Sequence, residues 1–170
     1  YGNKFNSLVS KILSLHNENK VLDSNGENSK CGIIFTPHVN GTRGCYDLAN
    51  NLSSKLGVKV GYYSGSKPKN NTMAENEFDE YKRDIQNKFK SNEFTLLTAT
   101  KAFGMGINKG NIFYTIHYGL PNSMESFYQE GGRAGRDKSK FKTIKAECTV
   151  LLTPEQNDEN YKNIWNPEIS

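Results

Sequence analysis

Apolar residues recur at every third or fourth position in three parts of the chain. The pattern begins at Phe5 and runs toward His16, and it returns in residues 46–56 and 78–89. This spacing places the apolar side chains on one face of a helix. The sequence therefore predicts three amphipathic helices, and a fourth, shorter helix is predicted to start near Ser123.

Short apolar runs separate the predicted helices. They cover residues 32–36, 58–63, 94–98, 112–117 and 144–152. Runs of this length between turn residues are typical of strands. Strands that alternate with helices indicate an α/β fold in three layers, with helices on both faces of a parallel sheet. Ligands of such sheets bind in the loops that leave the carboxyl ends of the strands.

Two polar segments complete the chain. Residues 64–76 are rich in Gly, Ser, Pro and Asn, which predicts a long surface loop.

The 170 residues suit one domain. We expect it to span residues 1–152, with residues 153–170 as a polar tail that links to, or docks on, another domain. The chain starts at Tyr1 rather than Met, so we expect a piece of a longer protein.

The composition is that of an intracellular globular protein. No run approaches the roughly 20 apolar residues of a membrane helix, so no membrane contact is expected. Cys31, Cys45 and Cys148 form no CxxC pair, which predicts reduced thiols in the cytoplasm and no metal site. The net charge of +4 is compatible with a polyanionic partner. Of the 22 lysines and arginines only four are arginines, so their positions are informative.

A glycine-containing loop follows the third predicted strand. It spans residues 98–109 and includes Gly104, Gly106 and Asn108. Glycines let a ligand approach the backbone closely. The backbone amides and the two threonine hydroxyls can bond to phosphate oxygens, and Asn108 can reach a sugar hydroxyl. A plain structural turn explains the glycines equally well.

The segment QEGGRAGRD, residues 129–137, contains half of the arginines. Arg133 and Arg136 are three residues apart, so on a helix their guanidinium groups would share one face. A guanidinium is a planar donor fork that matches phosphate oxygens and is not replaced by lysine in that geometry. By spacing alone, surface pairing with Glu130 and Asp137 is the favoured alternative.

Two longer segments resemble a known family. AFGMGINK, residues 102–109, and IHYGLPNSMESFYQEGGRAGRD, residues 116–137, resemble motifs V and VI of the RecQ family of superfamily 2 DNA helicases, in the same order and separation. GIIF at 32–35, YYSG at 62–65 and the helical residues 82–89 resemble the family more loosely. The resemblance covers residues 31–152 and implies the second RecA-like domain of a helicase core.

The resemblance implies roles for individual residues. Arg136 would be the arginine finger on the γ-phosphate, Arg133 would also face the nucleotide, and Gln129 would couple the nucleotide to the interdomain contact. Asn108, Gly104 and Gly106 are expected to bind the nucleotide. Nucleic-acid contacts are expected for Thr100, Thr98, Lys101, Tyr63, Gly65 and His38.

The implied cofactor is ATP with Mg²⁺, bound mainly by the first RecA-like domain. The implied partners are that domain and single-stranded or partly duplex DNA, along which the family moves 3′ to 5′. The 170 residues contain neither a GxxxxGK[ST] phosphate loop nor a DEAH box. The chain alone is therefore expected not to hydrolyse ATP. An RNA helicase of the same superfamily and a non-catalytic docking module are the alternatives.

The chain also departs from the family pattern. ThrProHisVal follows GIIF where the family has Ser and a basic residue, which counts against direct DNA contact by that loop. His38 is the candidate for such a contact, and a histidine that is only solvated is the favoured alternative. Tyr63 replaces a histidine, Gly131 replaces a threonine, and the loop at residues 67–76 is longer than usual. These differences indicate a divergent branch of the family.

Overall fold

The short apolar runs form one parallel sheet. The computed structural model describes residues 2–69, 71–104, 107–141 and 144–152. The strands are β1 Cys31–Phe35, β2 Val60–Tyr63, β3 Leu96–Ala99, β4 Ile112–His117 and β5 Glu147–Val150. Their order in the sheet is β2-β3-β1-β4-β5, and all neighbours are parallel. The predicted parallel α/β fold is confirmed.

Three of the strands are shorter than predicted. β2, β3 and β5 start two or three residues after the beginning of the apolar run. Phe94 and Thr95 illustrate the reason, because both are buried before the strand pairing of β3 begins. Burial therefore extends beyond the hydrogen-bonded ladder.

In the described part of the chain, four α-helices lie between and around the strands. They are α1 Gly2–Asn19, α2 Cys45–Leu56, α3 Glu75–Lys90 and α4 Met124–Gly131. As predicted, α4 starts next to Ser123, whose hydroxyl accepts a hydrogen bond from the backbone N of Ser126 at 3.1 Å. An oxygen acceptor at this position satisfies one of the free N–H groups of the first turn.

The helices cover both faces of the sheet. Leu8 and Ile12 of α1 and Leu48 of α2 pack in one apolar cluster with Ile34 of β1. Ile33, the neighbouring residue of β1, packs on the other face, in a cluster that contains Ile85 and Phe89 of α3. Successive side chains of a strand point to opposite faces, so β1 lies at the centre of a three-layer structure.

The parallel arrangement brings the ends of all strands to one edge. The loops after β1, β2, β3 and β4 leave the sheet at this carboxyl edge, where ligands of open α/β sheets bind. Within the described residues, no helix combines the length and the apolar character that crossing a bilayer requires.

Candidate nucleotide and nucleic-acid site

A cavity of about 340 Å³ opens at the carboxyl edge of the sheet. Residues that follow four different strands line it, among them Thr36 after β1, Gly65 after β2 and Thr100 and Lys101 after β3. Three residues of the predicted nucleic-acid contact, Gly65, Thr100 and Lys101, are therefore adjacent in space.

The loop after β3 is held at its start by the backbone. The N–H of Thr100 donates to the carbonyl of Tyr63 at 3.1 Å, and the N–H of Phe103 donates to the carbonyl of Thr100 at 3.0 Å. The second bond belongs to a short 3₁₀ helix, Lys101–Gly104. Thr100 is buried, whereas Lys101 is exposed. The ammonium group of Lys101 is thus available to an anionic ligand.

Thr98 does not take part in this surface. Its side chain is fully buried, and its hydroxyl donates to the carbonyl of Cys45 at 2.7 Å, with the carbonyl of Gly61 at 3.3 Å. The nucleic-acid contact expected of Thr98 is wrong for this structure, because both faces of β3 are covered. The hydroxyl instead joins β3 to β2 and to the start of α2.

Tyr63 and His38 lie at the margin of the same edge. The ring of Tyr63 is half-buried and packs edge-on against Phe103, with 5.1 Å between ring centroids. His38 has an exposed side chain, and its carbonyl accepts from the N–H of Cys45 and from the hydroxyl of Thr36. The backbone of His38 therefore shapes the loop after β1, and its imidazole faces the solvent.

A second cavity, of about 300 Å³, lies where the glycine-containing loop meets the segment after α4. It is lined by Asn108, Gly110, Arg136 and Asp137. Arg136 is exposed, and its Nε donates to the carbonyl of Gly132 at 2.9 Å. This bond fixes the orientation of the guanidinium group through its Nε atom. The structure thus brings together Asn108 and Arg136, which the sequence assigned to one nucleotide site.

Arg133 has a different environment from Arg136. It is only 6% exposed, and its Nη1 donates to the carbonyl of Ile107 at 3.3 Å. Burial and the nearby charge of Arg136 lower the pKa of Arg133, while Glu130 acts in the opposite direction. Arg133 joins the turn after α4 to the glycine-containing loop, so the surface-pair interpretation is wrong for this arginine.

The expectation of one helical face for both arginines is also wrong. The helix ends at Gly131, and both arginines lie in the turns that follow. Gly135 has a φ of 73°, in the left-handed region that glycine adopts without strain. The glycines of QEGGRAGRD turn the chain out of the helix, which buries Arg133 and leaves Arg136 exposed.

The remaining predicted site residues are Gln129, Gly104 and Gly106. Gln129 is exposed on α4, and its Nε2 donates to Glu125 Oε1 at 3.0 Å. Gly104 is the last residue of the short 3₁₀ helix. Gly106 lies outside the described residues.

A buried polar cluster supports the far end of the glycine-containing loop. The Nζ of Lys109 donates to Asn92 Oδ1 at 2.5 Å and to the carbonyl of Lys90 at 3.2 Å. The Nδ2 of Asn111 donates to the same Asn92 oxygen at 2.8 Å. Burial lowers the pKa of Lys109, although Cys31 opposes this effect. The loop is therefore fixed from the amino edge of the sheet as well.

One functional candidate was not predicted from the sequence. His117, the last residue of β4, has its Nε2 3.0 Å from Glu130 Oε2, and both side chains are at least nine-tenths buried. His117 also stacks on Phe35, with 5.5 Å between ring centroids. Burial alone would lower the pKa of His117, but Cys148 and Glu130 outweigh it and raise the pKa to about 9.

This pair connects the strand edge to α4 next to the arginines. The sequence did contain a signal for His117. The residue lies at the end of a buried strand, and a polar side chain in that position requires a partner. The identity of the partner was not readable, since Glu130 is distant in the sequence. In the described part of the chain, no three His, Cys, Asp or Glu side chains form a metal-binding group.

The parallel sheet of this chain, with helices on both faces, is shared with helicase domains of the RecA-like class. The helicase domain of Hef from Pyrococcus furiosus superposes on 96% of this chain and 28% of its own, with a TM-score of 0.62 and 20% identity. Domain 2 of the DEAD-box protein Mss116p superposes on 88% of this chain and 50% of its own, with a TM-score of 0.61 and 16% identity. These similarities define the fold.

Sequence comparison narrows the class to a family. Residues 7–138 match the family model described as the helicase conserved C-terminal domain, and the chain belongs to that family. The ATP-dependent DNA helicase RecQ of Bacillus subtilis is 32% identical over 151 residues, which are 88% of this chain and 22% of the relative. RecQ of Pasteurella multocida is 35% identical over 129 residues, 76% of this chain and 17% of the relative.

A relative from a yeast agrees with these two. The ATP-dependent DNA helicase hus2/rqh1 of Schizosaccharomyces pombe is 35% identical over 114 residues, which are 67% of this chain and 8% of the relative. The resemblance to RecQ helicases is confirmed. The chain spans less than a quarter of the length of each of these three relatives.

Proposed function

We propose that the chain is the second motor domain of an ATP-dependent DNA helicase or translocase that moves 3′ to 5′. One observation carries the proposal: Arg136 and Asn108 line one cavity, while Gly65, Thr100 and Lys101 line another at the carboxyl edge. A motor domain of this kind requires two such surfaces, one for a nucleotide and one for a nucleic-acid backbone.

Arg136 is the residue that we assign to the nucleotide. Its exposed guanidinium is oriented by the bond from Nε to Gly132, which suits contact with phosphate oxygens. ATP with Mg²⁺, held mainly by the first RecA-like domain, supplies the phosphoryl group. Arginine fingers stabilise the charge that develops during transfer and contribute roughly 10³ to 10⁵ in rate. Asn108 lies beside Arg136 and is assigned to the same nucleotide.

Arg133 and Gln129 are assigned supporting roles. Arg133 is buried against the carbonyl of Ile107, so it acts as a positioning residue for the glycine-containing loop. Gln129 is exposed in the last turn of α4 and is assigned to the contact with the first domain. Neither residue substitutes for the phosphate loop, which the 170 residues do not contain.

The carboxyl-edge cavity is assigned to the DNA backbone. Lys101 offers an exposed ammonium group, and Gly65 and Thr100 offer a surface without bulky side chains. Contacts to phosphates and sugars carry no sequence information. Binding is therefore expected to be insensitive to sequence and strongly dependent on salt.

The test is the ATPase activity of the full-length protein that contains this chain and a first RecA-like domain. We expect single-stranded DNA to stimulate it and Arg136→Ala to reduce the stimulated rate at least about 10³-fold, in line with other arginine fingers. The matched control is Arg83→Ala, which removes an exposed arginine from α3. Retained activity in a folded Arg136→Ala protein would remove the arginine-finger assignment.

Two further measurements address the alternatives. Stimulation by RNA instead of DNA would favour an RNA helicase, which the Gln129–Glu130 pair disfavours because the best-known RNA branch has His-Arg there. Absence of nucleotide binding in a protein that contains both domains would favour a docking module. The isolated chain is expected to show no ATPase activity.

A further inference from the structure

Three side chains form a continuous polar contact between β5, β4 and α4. The Sγ of Cys148 in β5 lies 3.8 Å from Nδ1 of His117, and Nε2 of His117 lies 3.0 Å from Oε2 of Glu130. Cys148 is exposed, whereas His117 and Glu130 are buried. A thiol, an imidazole and a carboxylate are thus arranged in series, with the thiol at the surface.

We propose that Cys148 is a thiol-exchange site at which low-molecular-weight disulfides form a reversible mixed disulfide with the protein. The arrangement fits this chemistry because the nucleophile in thiol exchange is the thiolate. A protonated imidazole next to the thiol stabilises the thiolate by its charge and by a hydrogen bond, and a carboxylate on the far side of the ring keeps the imidazole protonated.

The acid–base properties of the three cysteines agree with the geometry. The hydrogen bond with His117 lowers the pKa of Cys148, although burial opposes it. The other two cysteines are fully buried, and burial raises the pKa of Cys31 and raises that of Cys45 to about 12. Cys31 and Cys45 are therefore internal controls that should remain unmodified in the folded protein.

The reaction is a displacement at sulfur. The Cys148 thiolate attacks one sulfur of oxidised glutathione, a new S–S bond forms between them, and the S–S bond of glutathione breaks. The departing sulfur leaves with the electron pair as a thiolate and takes up a proton from water. No other oxidant is required, and reduced glutathione reverses the step.

The thiol is positioned where a modification reaches the segment that contains the arginines. A Cβ on Gly131 would lie 3.0 Å from Cys148 Sγ, which is closer than ordinary van der Waals contact. The sulfur thus packs directly on the last residue of α4, where the chain departs from the family threonine. A glutathionyl group on this sulfur would remove the charge that faces His117 and displace the end of α4.

The first test measures the modification itself in the full protein. The three cysteines of this chain fall in separate tryptic peptides, so mass spectrometry follows each one during exposure to oxidised glutathione. At pH 7 we expect Cys148 to react about 10-fold faster in the folded protein than after denaturation in urea, because a larger fraction is thiolate. The rate should also persist to a lower pH in the folded protein.

His117→Gln is expected to reduce the rate about 10-fold at pH 7, to the level of an ordinary exposed thiol. Should this variant fail to fold, the pH profile of the unmodified sequence decides the question alone. Equal rates and equal pH profiles in folded and denatured protein would overturn the proposal. Cys148→Ser controls for reaction at other positions.

The second test measures how modification of Cys148 affects α4. Its hydrogen-exchange measurement is independent of the proposed function, and only its ATPase measurement rests on that function. Modified protein should exchange the amide hydrogens of α4 faster than unmodified protein, and its DNA-stimulated ATPase rate should fall and recover with reduced glutathione. Cys148→Ser should be insensitive in both respects. Unchanged α4 exchange in the modified protein would overturn the coupling, whereas absence of any ATPase activity would count against the proposed function and leave the thiol chemistry intact.

Discussion

The imidazole of His117 and the carboxylate of Glu130 form a buried ion pair, with 3.0 Å between Nε2 and Oε2. His117 ends strand β4, and Glu130 lies in the last turn of α4, three residues before Arg133. The pair therefore connects the carboxyl edge of the sheet to the segment that we assign to the nucleotide.

His117 should remain protonated well above neutral pH. Its pKa is raised from 6.5 to about 9, because Cys148 and Glu130 outweigh the effect of burial. Its contribution to stability is thus fully present below the unfolded pKa near 6.5 and is lost as the pH rises through about 9. The check is an NMR titration of the His117 ring in the folded protein.

The contribution of Cys148 to the free energy of unfolding depends on pH in the opposite direction. Its lowered pKa stabilises the folded state at pH values above the ordinary thiol range. The two effects partly cancel in the overall stability. Cys148→Ser removes one of the two groups that raise the pKa of His117, so the midpoint of the His117 titration should fall in this variant, while Glu130 continues to raise it. A His117 midpoint at or below its ordinary value would contradict the ion pair.

Glu130→Gln should lower the free energy of unfolding by about 1–3 kcal/mol at pH 7, because the imidazolium loses its buried counter-charge. Urea denaturation measures the change. Glu80→Gln is the matched control, since Glu80 is exposed on α3 and should change stability by less than about 0.5 kcal/mol. Equal effects of the two substitutions would show that the pair does not stabilise the fold.

Substitution of Arg133 and substitution of Arg136 should have different effects on stability and on ATPase activity. Arg133→Ala is expected to lower the free energy of unfolding by about 1–3 kcal/mol, since it removes a buried donor to Ile107. Arg136→Ala removes an exposed side chain and should change stability by less than about 0.5 kcal/mol while abolishing ATPase activity. Denaturation curves and activity of the full-length protein separate the two effects, and the reverse pattern would contradict the assignments.

Lys101→Ala should weaken the binding of single-stranded DNA to the full-length protein without changing sequence preference. Loss of one phosphate contact should reduce the slope of log K against log salt by about 0.7. Fluorescence anisotropy at several salt concentrations measures this slope. Lys55→Ala, on the exposed last turn of α2, is the control. An unchanged slope for Lys101→Ala would place the DNA elsewhere.

Asn92 should be essential for the buried cluster behind the glycine-containing loop. Its Oδ1 accepts from Lys109 and Asn111, and its φ of 63° lies in the left-handed region. Asn92→Gly keeps that conformation but removes the acceptor, so a loss of about 2–4 kcal/mol is expected from the unpaired polar groups. Asn92→Ala should lose about 1 kcal/mol more through backbone strain.

Thermal and urea denaturation of both Asn92 variants provide the measurement. Asn87→Ala, an exposed position on α3, is the reference for a surface asparagine. An Asn92→Gly protein as stable as the unmodified protein would contradict this role of Asn92. It would mean that the loop rearranges and that Lys109 donates to another acceptor.

Thr98 and Arg133 illustrate why side-chain environments were harder to predict than elements. Thr98 belongs to a strand whose two faces are both covered, so no alternation of polar and apolar residues marked its side chain as interior. The spacing of the arginines suggested one helical face, but α4 ends at Gly131, before Arg133, and Gly135 turns the chain between the two arginines. In both cases, packing or backbone conformation decided the environment.

The order of the elements, the parallel sheet and the family could be predicted from the sequence, because periodicity and contiguous motifs depend on residues that are close in the chain. The folded structure was needed to show that His117 meets Glu130 and Cys148, that Arg133 is buried while Arg136 is exposed, and that Asn92 supports Lys109. These relationships join residues that are distant in sequence or separated by a turn. They depend on how helices and loops pack against the sheet, and local patterns do not encode that packing.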